Sequence, residues 1–374
     1  MQQSSLSPSE TNPPSRILIV RLSAHGDVMH TLPLLSAIKR ANPKAHIGWL
    51  AEAAAAPLLE GHPLIDCLHI SHRKRWMQAA RNPRNWSAVA KEVQAFIQEL
   101  RQQDYAISFD VQGLFKSAVW PYFAEIPHRY GYKHTRESAD IFYTHKLPPM
   151  NIRDPLTPAV ERTLDFARTL GYPTAAPEFV LPPVSEDRQS RVDALLSGLP
   201  PDWPLVVLAP FTRWDSKHWV PRHWVQLMAD LLARNLQPVL IGAPGDQAAA
   251  GEMLAALPAG QPAPGGLNLV GQTDWPDLYA LFNRSLLLIG PDSAPLHIAN
   301  AVGIQVIGLY GPTAPGRTGP LGDRQMTLAT QLPCQPCFER HCPLKTHDCM
   351  QQLDPAQVMA AVERMLTENP AVRP

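Results

Sequence analysis

Short apolar runs recur along this chain, each closed by turn-forming residues and followed by a stretch with helical spacing. Ile17–Val20, His46–Leu50, Cys67–Ile70 and Ala106–Phe109 predict strands buried on both faces. Between the last two, Trp86–Leu100 predicts an amphipathic helix with Trp86, Val89, Val93, Phe96, Ile97 and Leu100 on one face. A helix ending near Arg40 follows the first strand. Pro33 argues against a start at Val28 and makes Thr31 an alternative cap. The alternation returns later, where Leu205–Ala209, Pro238–Ile241, Leu267–Val270, Leu286–Ile289 and Val306–Tyr310 predict five more strands. Gly290, Pro291 and Asp292 end the fourth of these, and Ser293–Val302 predicts a helix with Pro295 in its first turn. Asp354–Thr367 predicts a final helix capped by Asp354.

The pattern blurs between Pro148 and Pro204. There a helix over Pro158–Leu170 is flanked by proline-rich connections. This stretch predicts a link between two domains, one over 16–185 and one over 186–374, after a disordered polar tail at 1–15. Strand–helix alternation in both halves predicts an α/β fold of two doubly wound, Rossmann-like domains facing across a cleft.

Composition narrows the function. Of 374 residues, 33 are Lys or Arg and 33 Asp or Glu, so the charge cancels. That balance argues against a nucleic-acid partner. No apolar run approaches the ~20 residues of a membrane span, and the first residues lack the apolar core of a signal peptide. A cytoplasmic location is expected, where the five cysteines would be reduced or metal-bound.

Candidate chemistry sits where predicted strands end. Asp27, after Gly26, lies beyond the first strand and suits a general base, although capping the next helix would also explain it. In A-P-F-T-R-W-D-S-K-H-W (Ala209–Trp219), Thr212, Ser216 and Lys217 are donors suited to a diphosphate. Asp246 closes I-G-A-P-G-D, where an acid can hold ribose hydroxyls or cap a helix. Asp292 and Ser293 stand where a strand gives way to a helix N-terminus, a corner that attracts phosphate. No G-x-G-x-x-G follows the first strand, which disfavours a dinucleotide oxidoreductase. Arg73, Lys74, Arg75, Arg81, Arg84 and Lys91 form a basic run that contains no acid. It suits an anionic acceptor or an anionic membrane surface, or else a solvated loop. Cys334, Cys337, Cys342 and Cys349 could hold a structural zinc or form a reduced loop.

Four elements together resemble a known family: G-D-V-M-H-T-L-P at 26–33, D-V-Q-G-L-F-K-S-A at 110–118, S-K-H-W at 216–219, and D-S-A-P-L-H with L-Y-G-P-T-A-P within 292–315. The chain is similar to the ADP-heptose:lipopolysaccharide heptosyltransferases of glycosyltransferase family 9, nearest to the heptosyltransferase I members. The resemblance implies a GT-B fold and an inverting transfer that needs no catalytic metal or other cofactor. It implies ADP-heptose as donor and the Kdo of the lipid A core as acceptor, at the inner face of the inner membrane. It casts Asp27 as base and Lys217 as the group facing departing ADP. Thr212, Ser216, Lys217, Asp246, Asp292, Ser293, Ala294 and His297 would bind the donor, and Arg73, Arg75, Lys133 and Arg136 the acceptor. The family often has Thr-Gly where this chain has Ser293-Ala294. The Cys-rich segment is more familiar from other members, which leaves a heptose already in place as an alternative acceptor. A nucleotide-sugar epimerase or a non-catalytic sugar-nucleotide-binding protein on the same fold are the further alternatives.

Overall fold

A computed structural model describes residues 14–151, 153–175, 177–260 and 265–368. Most of the expected tail at 1–15 lies outside the described residues. The chain folds as two units. One comprises 14–23, 31–151 and 162–180; the other comprises 24–30, 153–161 and 181–368.

The first unit is a six-stranded sheet built from β1 (Arg16–Val20), β2 (His46–Glu52), β3 (Cys67–Ser71), β4 (Ile107–Asp110), β5 (His128–Tyr132) and β6 (His145–Leu147). Their order is β3-β2-β1-β4-β5-β6 and every pairing is parallel. Ile17 sits opposite both Ile47 and Ile107, so the most apolar run occupies the sheet centre. The first four strands follow the apolar runs; β5 and β6 do not. H-R-Y-G-Y and H-K-L carry too many polar residues to stand out, because the outer side of this sheet needs less burial.

On one face, Trp76, Phe96 and Trp120 pack ring to ring at 5.1–5.8 Å. The helix Trp86–Gln102 supplies Phe96 and Leu100 to this core, with Val89, Val93 and Ile97 packed beside them. Trp86, expected on the same face, is 61% exposed, and its indole N–H bonds the carbonyl of Ala80 instead. At the first turn of a helix it projects past the end of the core.

The helix after β1 spans His25–Ala41 and runs through Pro33. Pro33 removes one backbone bond and does not end the helix. Thr31 is therefore no cap: it is fully buried, and its hydroxyl accepts a bond from Arg21 Nε at 3.2 Å.

The second unit holds β7 (Leu205–Leu208), β8 (Gln237–Leu240), β9 (Leu267–Asn268), β10 (Ser285–Pro291), β11 (Gln305–Tyr310) and β12 (Gln325–Ala329). The order is β12-β11-β10-β7-β8-β9, again parallel throughout. Renumbered within the unit, this is the doubly wound order of the first sheet. Its strand order reverses between β7 and β10, the place where such sheets open a crevice at their carboxyl ends. β10 runs through Gly290 and Pro291, later than the turn residues suggested. Beyond it the helix Ala294–Val302 ends at Gly303, whose φ of 90° a side chain would oppose. Trp219, Trp224, Leu227 and Leu231 fill one face of the sheet with Val358 and Val362 of the helix Pro355–Glu368. No helix among the described residues is long and apolar enough to cross a membrane.

Candidate functional site

A cavity of about 730 Å³ opens at that strand-order reversal. Its walls come from the segments after β7, β8, β10 and β11, and from Ala24–Asp27 and His30, all within the second unit. Asp27, Thr212, Lys217, Asp246, Asp292, Ser293, Ala294 and His297 line it together.

Its centre is Asp292. Lys217 Nζ donates to the Asp292 carbonyl and to its Oδ2, both at 2.8 Å. His297 Nε2 lies 3.1 Å from Oδ1. Burial alone would raise the pKa of this 6%-exposed carboxyl. The Lys217 charge, with the hydrogen bond and charge of His297, outweighs burial and holds it well below the usual 3.8. Lys217 also stands 4.6 Å above the Trp214 ring, which lines the same cavity. On the other side of His297, the His30 ring meets it edge-on at 4.3 Å. Gly26 is required here by space: a Cβ would fall 2.7 Å from His297 Cδ2.

Asp27 lies in the first turn of its helix, where its Oδ2 accepts the Ala24 N–H at 3.4 Å. Asp27 thus bonds the backbone at the start of its helix and also lines the cavity. Asp246 Oδ2 likewise accepts the Ala243 N–H at 2.9 Å while lining the cavity. Ser293 precedes the helix Ala294–Val302 but does not cap it; its hydroxyl is buried without a protein partner.

Ser216 does not line the cavity. It is 2% exposed, its hydroxyl donates to the Glu339 carbonyl at 2.6 Å, and its N–H bonds Arg340 O. This ties the Lys217 turn to the Cys-rich loop. Phe338 N–H bonds Pro312 O at 2.8 Å and Gln335 Nε2 bonds Gly311 O at 3.0 Å, so the same loop also braces the segment after β11. All four of its thiols are unpaired. Burial would raise the Cys342 pKa, but four backbone N–H groups lower it overall; burial and the other three thiols push Cys349 up to about 11. Among the described residues no group of three or more His, Cys, Asp or Glu side chains is arranged to hold a metal ion. What the loop visibly does is hold two walls of the cavity.

Arg73, Arg75, Lys133 and Arg136 all belong to the first unit. The basic run does have counter-charges, supplied by acids beyond it. Buried Glu52 faces Arg73 at 3.1 Å, Lys116 at 3.4 Å and Lys74 at 3.5 Å; Glu92 faces Arg75 at 2.5 Å. Burial would raise the Glu52 pKa, but these cations, Lys116 foremost, lower it overall. Arg73, Lys74, Met77, Gln78 and Arg81 surround a second hollow of about 460 Å³. Lys133 and Arg136 are exposed.

Thr313, Arg317 and Thr318 also line the large cavity and were assigned no role from sequence. The G-P-T-A-P-G segment signalled a loop after a strand, but not which side chains turn inward.

A family model described as "Glycosyltransferase family 9 (heptosyltransferase)" matches residues 93–347. Lipopolysaccharide heptosyltransferase 1 of Pseudomonas aeruginosa is 29% identical over 378 residues, covering 96% of this chain and 100% of the relative. Lipopolysaccharide heptosyltransferase 2 of Salmonella typhimurium is 27% identical over 362 residues, covering 95% and 99%. The solved structure of Escherichia coli heptosyltransferase WaaC with ADP matches with a TM-score of 0.71 at 25% identity, covering 94% of this chain and 99% of that one. The pair of parallel sheets is thus the α/β, GT-B architecture expected from sequence.

Proposed function

Because this chain belongs to glycosyltransferase family 9 (heptosyltransferase), we propose that it transfers a heptose from ADP-heptose to the inner core of lipopolysaccharide, with Kdo as the accepting sugar. The observation that carries this reading is the shared cavity. Asp27 and the Lys217–Asp292–His297 cluster line one hollow at the carboxyl ends of parallel strands. That hollow suits a nucleotide sugar.

In the proposed reaction the Asp27 carboxylate takes the proton of an acceptor hydroxyl. The acceptor oxygen forms a bond to the anomeric carbon, and the bond from that carbon to the diphosphate oxygen breaks with inversion. ADP leaves with the electron pair. Lys217 opposes the growing negative charge with its remaining N–H while staying anchored to Asp292. Asp246 receives the ribose hydroxyls. In the first unit, Arg81, Lys133 and Arg136 carry no ion pair among the described residues and are available to acidic groups of the acceptor or of an anionic membrane surface.

A second reading, transfer to a heptose already in place, is favoured by the near-equal likeness to relatives named heptosyltransferase 1 and 2. ADP release from ADP-heptose, measured with Kdo-lipid A and with its heptosylated product, separates the two. Activity with the second acceptor alone would replace the first reading by the second. Release without an acceptor, or with neither, would remove both. Asp27→Asn is expected to abolish transfer while ADP affinity stays within about twofold of wild type, as for loss of a proton acceptor that does not bind the nucleotide. Wild-type turnover in that variant would take the base role from Asp27.

A further inference from the structure

Four polar side-chain atoms on residues that line the large cavity are buried without a protein partner: Ser293 Oγ, Thr313 Oγ1, Thr318 Oγ1 and Arg317 Nε. Ser293 sits where β10 gives way to its helix; the other three residues come from one segment, 313–318, just beyond β11. Thr313 as a whole is 6% exposed. A buried polar atom without a partner is costly unless something else enters to bond it; Arg317 and Thr318 are half-buried as whole residues, with these atoms covered.

Arg317 is the unusual member. Its guanidinium carbon lies 5.4 Å from the centre of the Phe338 ring, a contact that uses none of its N–H bonds. It makes no side-chain hydrogen bond or ion pair among the described residues. The contrast with Lys217 is direct, since Lys217 is already held by Asp292. Arg317 is therefore a cation resting on the Cys-rich loop, in the same cavity lining as two threonines whose hydroxyls also lack partners. A planar donor fork with hydroxyls in the same lining matches a phosphate group.

We propose that Arg317, with Thr313 and Thr318, binds the diphosphate of the donor and stabilises it as it departs. This rests on the nucleotide-sugar reading above. It gives Phe338 a defined part as the platform on which the guanidinium rests. The Cys-rich loop thereby acts on the reaction through two residues, bracing Lys217 through Ser216 and Arg317 through Phe338.

The test is calorimetric titration of the full chain with ADP, AMP and inorganic pyrophosphate, for wild type, Arg317→Gln and Thr313→Val. Losing a charge-assisted bond to phosphate should weaken ADP and pyrophosphate binding about tenfold or more in Arg317→Gln, and several-fold in Thr313→Val. AMP binding should fall less, so the ratio of ADP to AMP affinity shrinks. A purely structural role would lower both affinities equally and leave that ratio unchanged, which overturns the proposal. If Arg317→Gln does not fold, the ratio in Thr313→Val decides by the same criterion. Wild type that binds pyrophosphate and ADP but transfers no heptose would sink the functional reading and leave this anion site standing. Wild type that transfers heptose, with an unchanged ratio in both variants, would do the reverse.

Discussion

Lys217→Met removes the one ammonium bonded to buried Asp292 and keeps most of the side-chain volume. The loss has three parts: an ion pair at 2.8 Å, a second bond to the Asp292 carbonyl, and the burial of a carboxylate left with His297 alone. With Lys217 only 12% exposed and Asp292 7%, solvent screens this pair little. Breaking such a pair from one side costs about 3–5 kcal/mol. The pH dependence carries the sharper signal. In wild type the Asp292 pKa is depressed below 3.8, so its contribution is present above that value and is lost only as pH falls through the depressed folded value. In the variant, burial, already the largest single influence, is opposed by His297 alone, and the pKa is expected to rise above 3.8. Stability is then present below about pH 4 and is lost as pH climbs through the raised value.

The gap between the two proteins should therefore already be open at pH 4, through the wild-type contribution, and widen further toward pH 8 as the variant loses stability. Urea unfolding at several pH values measures it, with Trp214, Trp219 and Trp224 as reporters within the second unit. Lys217→Met with Asp292→Asn should recover much of the loss, because no charge is then stranded, giving a coupling energy of about 2 kcal/mol or more. A gap that does not change with pH, or a double variant no better than the sum of its parts, would refute the account of Asp292 as a buried charge held by Lys217.

Two further expectations follow from the geometry. Gly26→Ala places a methyl 2.7 Å from the His297 ring and should displace it from Asp292, lowering the transfer rate roughly tenfold or more with little change in melting temperature; an unchanged rate would show that His297 has room to move. In the first unit, burial pushes Asp110 up to about 6 despite bonds from Tyr143, Gly113 and Ser117. Its raised pKa means that stability is greatest below about pH 4 and declines by roughly 3 kcal/mol as pH rises to about 6. Asp110→Asn should flatten that slope in pH-resolved unfolding, and an unaltered slope would assign the titration elsewhere.

The strands at the centres of both sheets were legible from sequence because a strand covered on both faces must be apolar throughout. Runs such as Ile17–Val20 and Val306–Tyr310 admit few other readings. Turn residues after those runs also marked the loops that carry Asp27, Lys217, Asp246 and Asp292. The strands β5, β6 and β12 were not legible, since they lie at or next to a sheet edge and are only partly buried. Pro33 misled for a related reason: local propensity disfavours it in a helix, but a buried helix face supplies enough packing to carry the backbone through. Which loop residues turn inward was decided only in three dimensions. Ser216 and Lys217 are neighbours in sequence, yet one anchors the Cys-rich loop and the other reaches Asp292, 75 residues on. Arg317 reads as an ordinary surface cation until Phe338 is found beneath it. Sequence determines what each segment can bury, whereas the partner of a polar group is set by residues far along the chain, and these meet only when the strands are assembled.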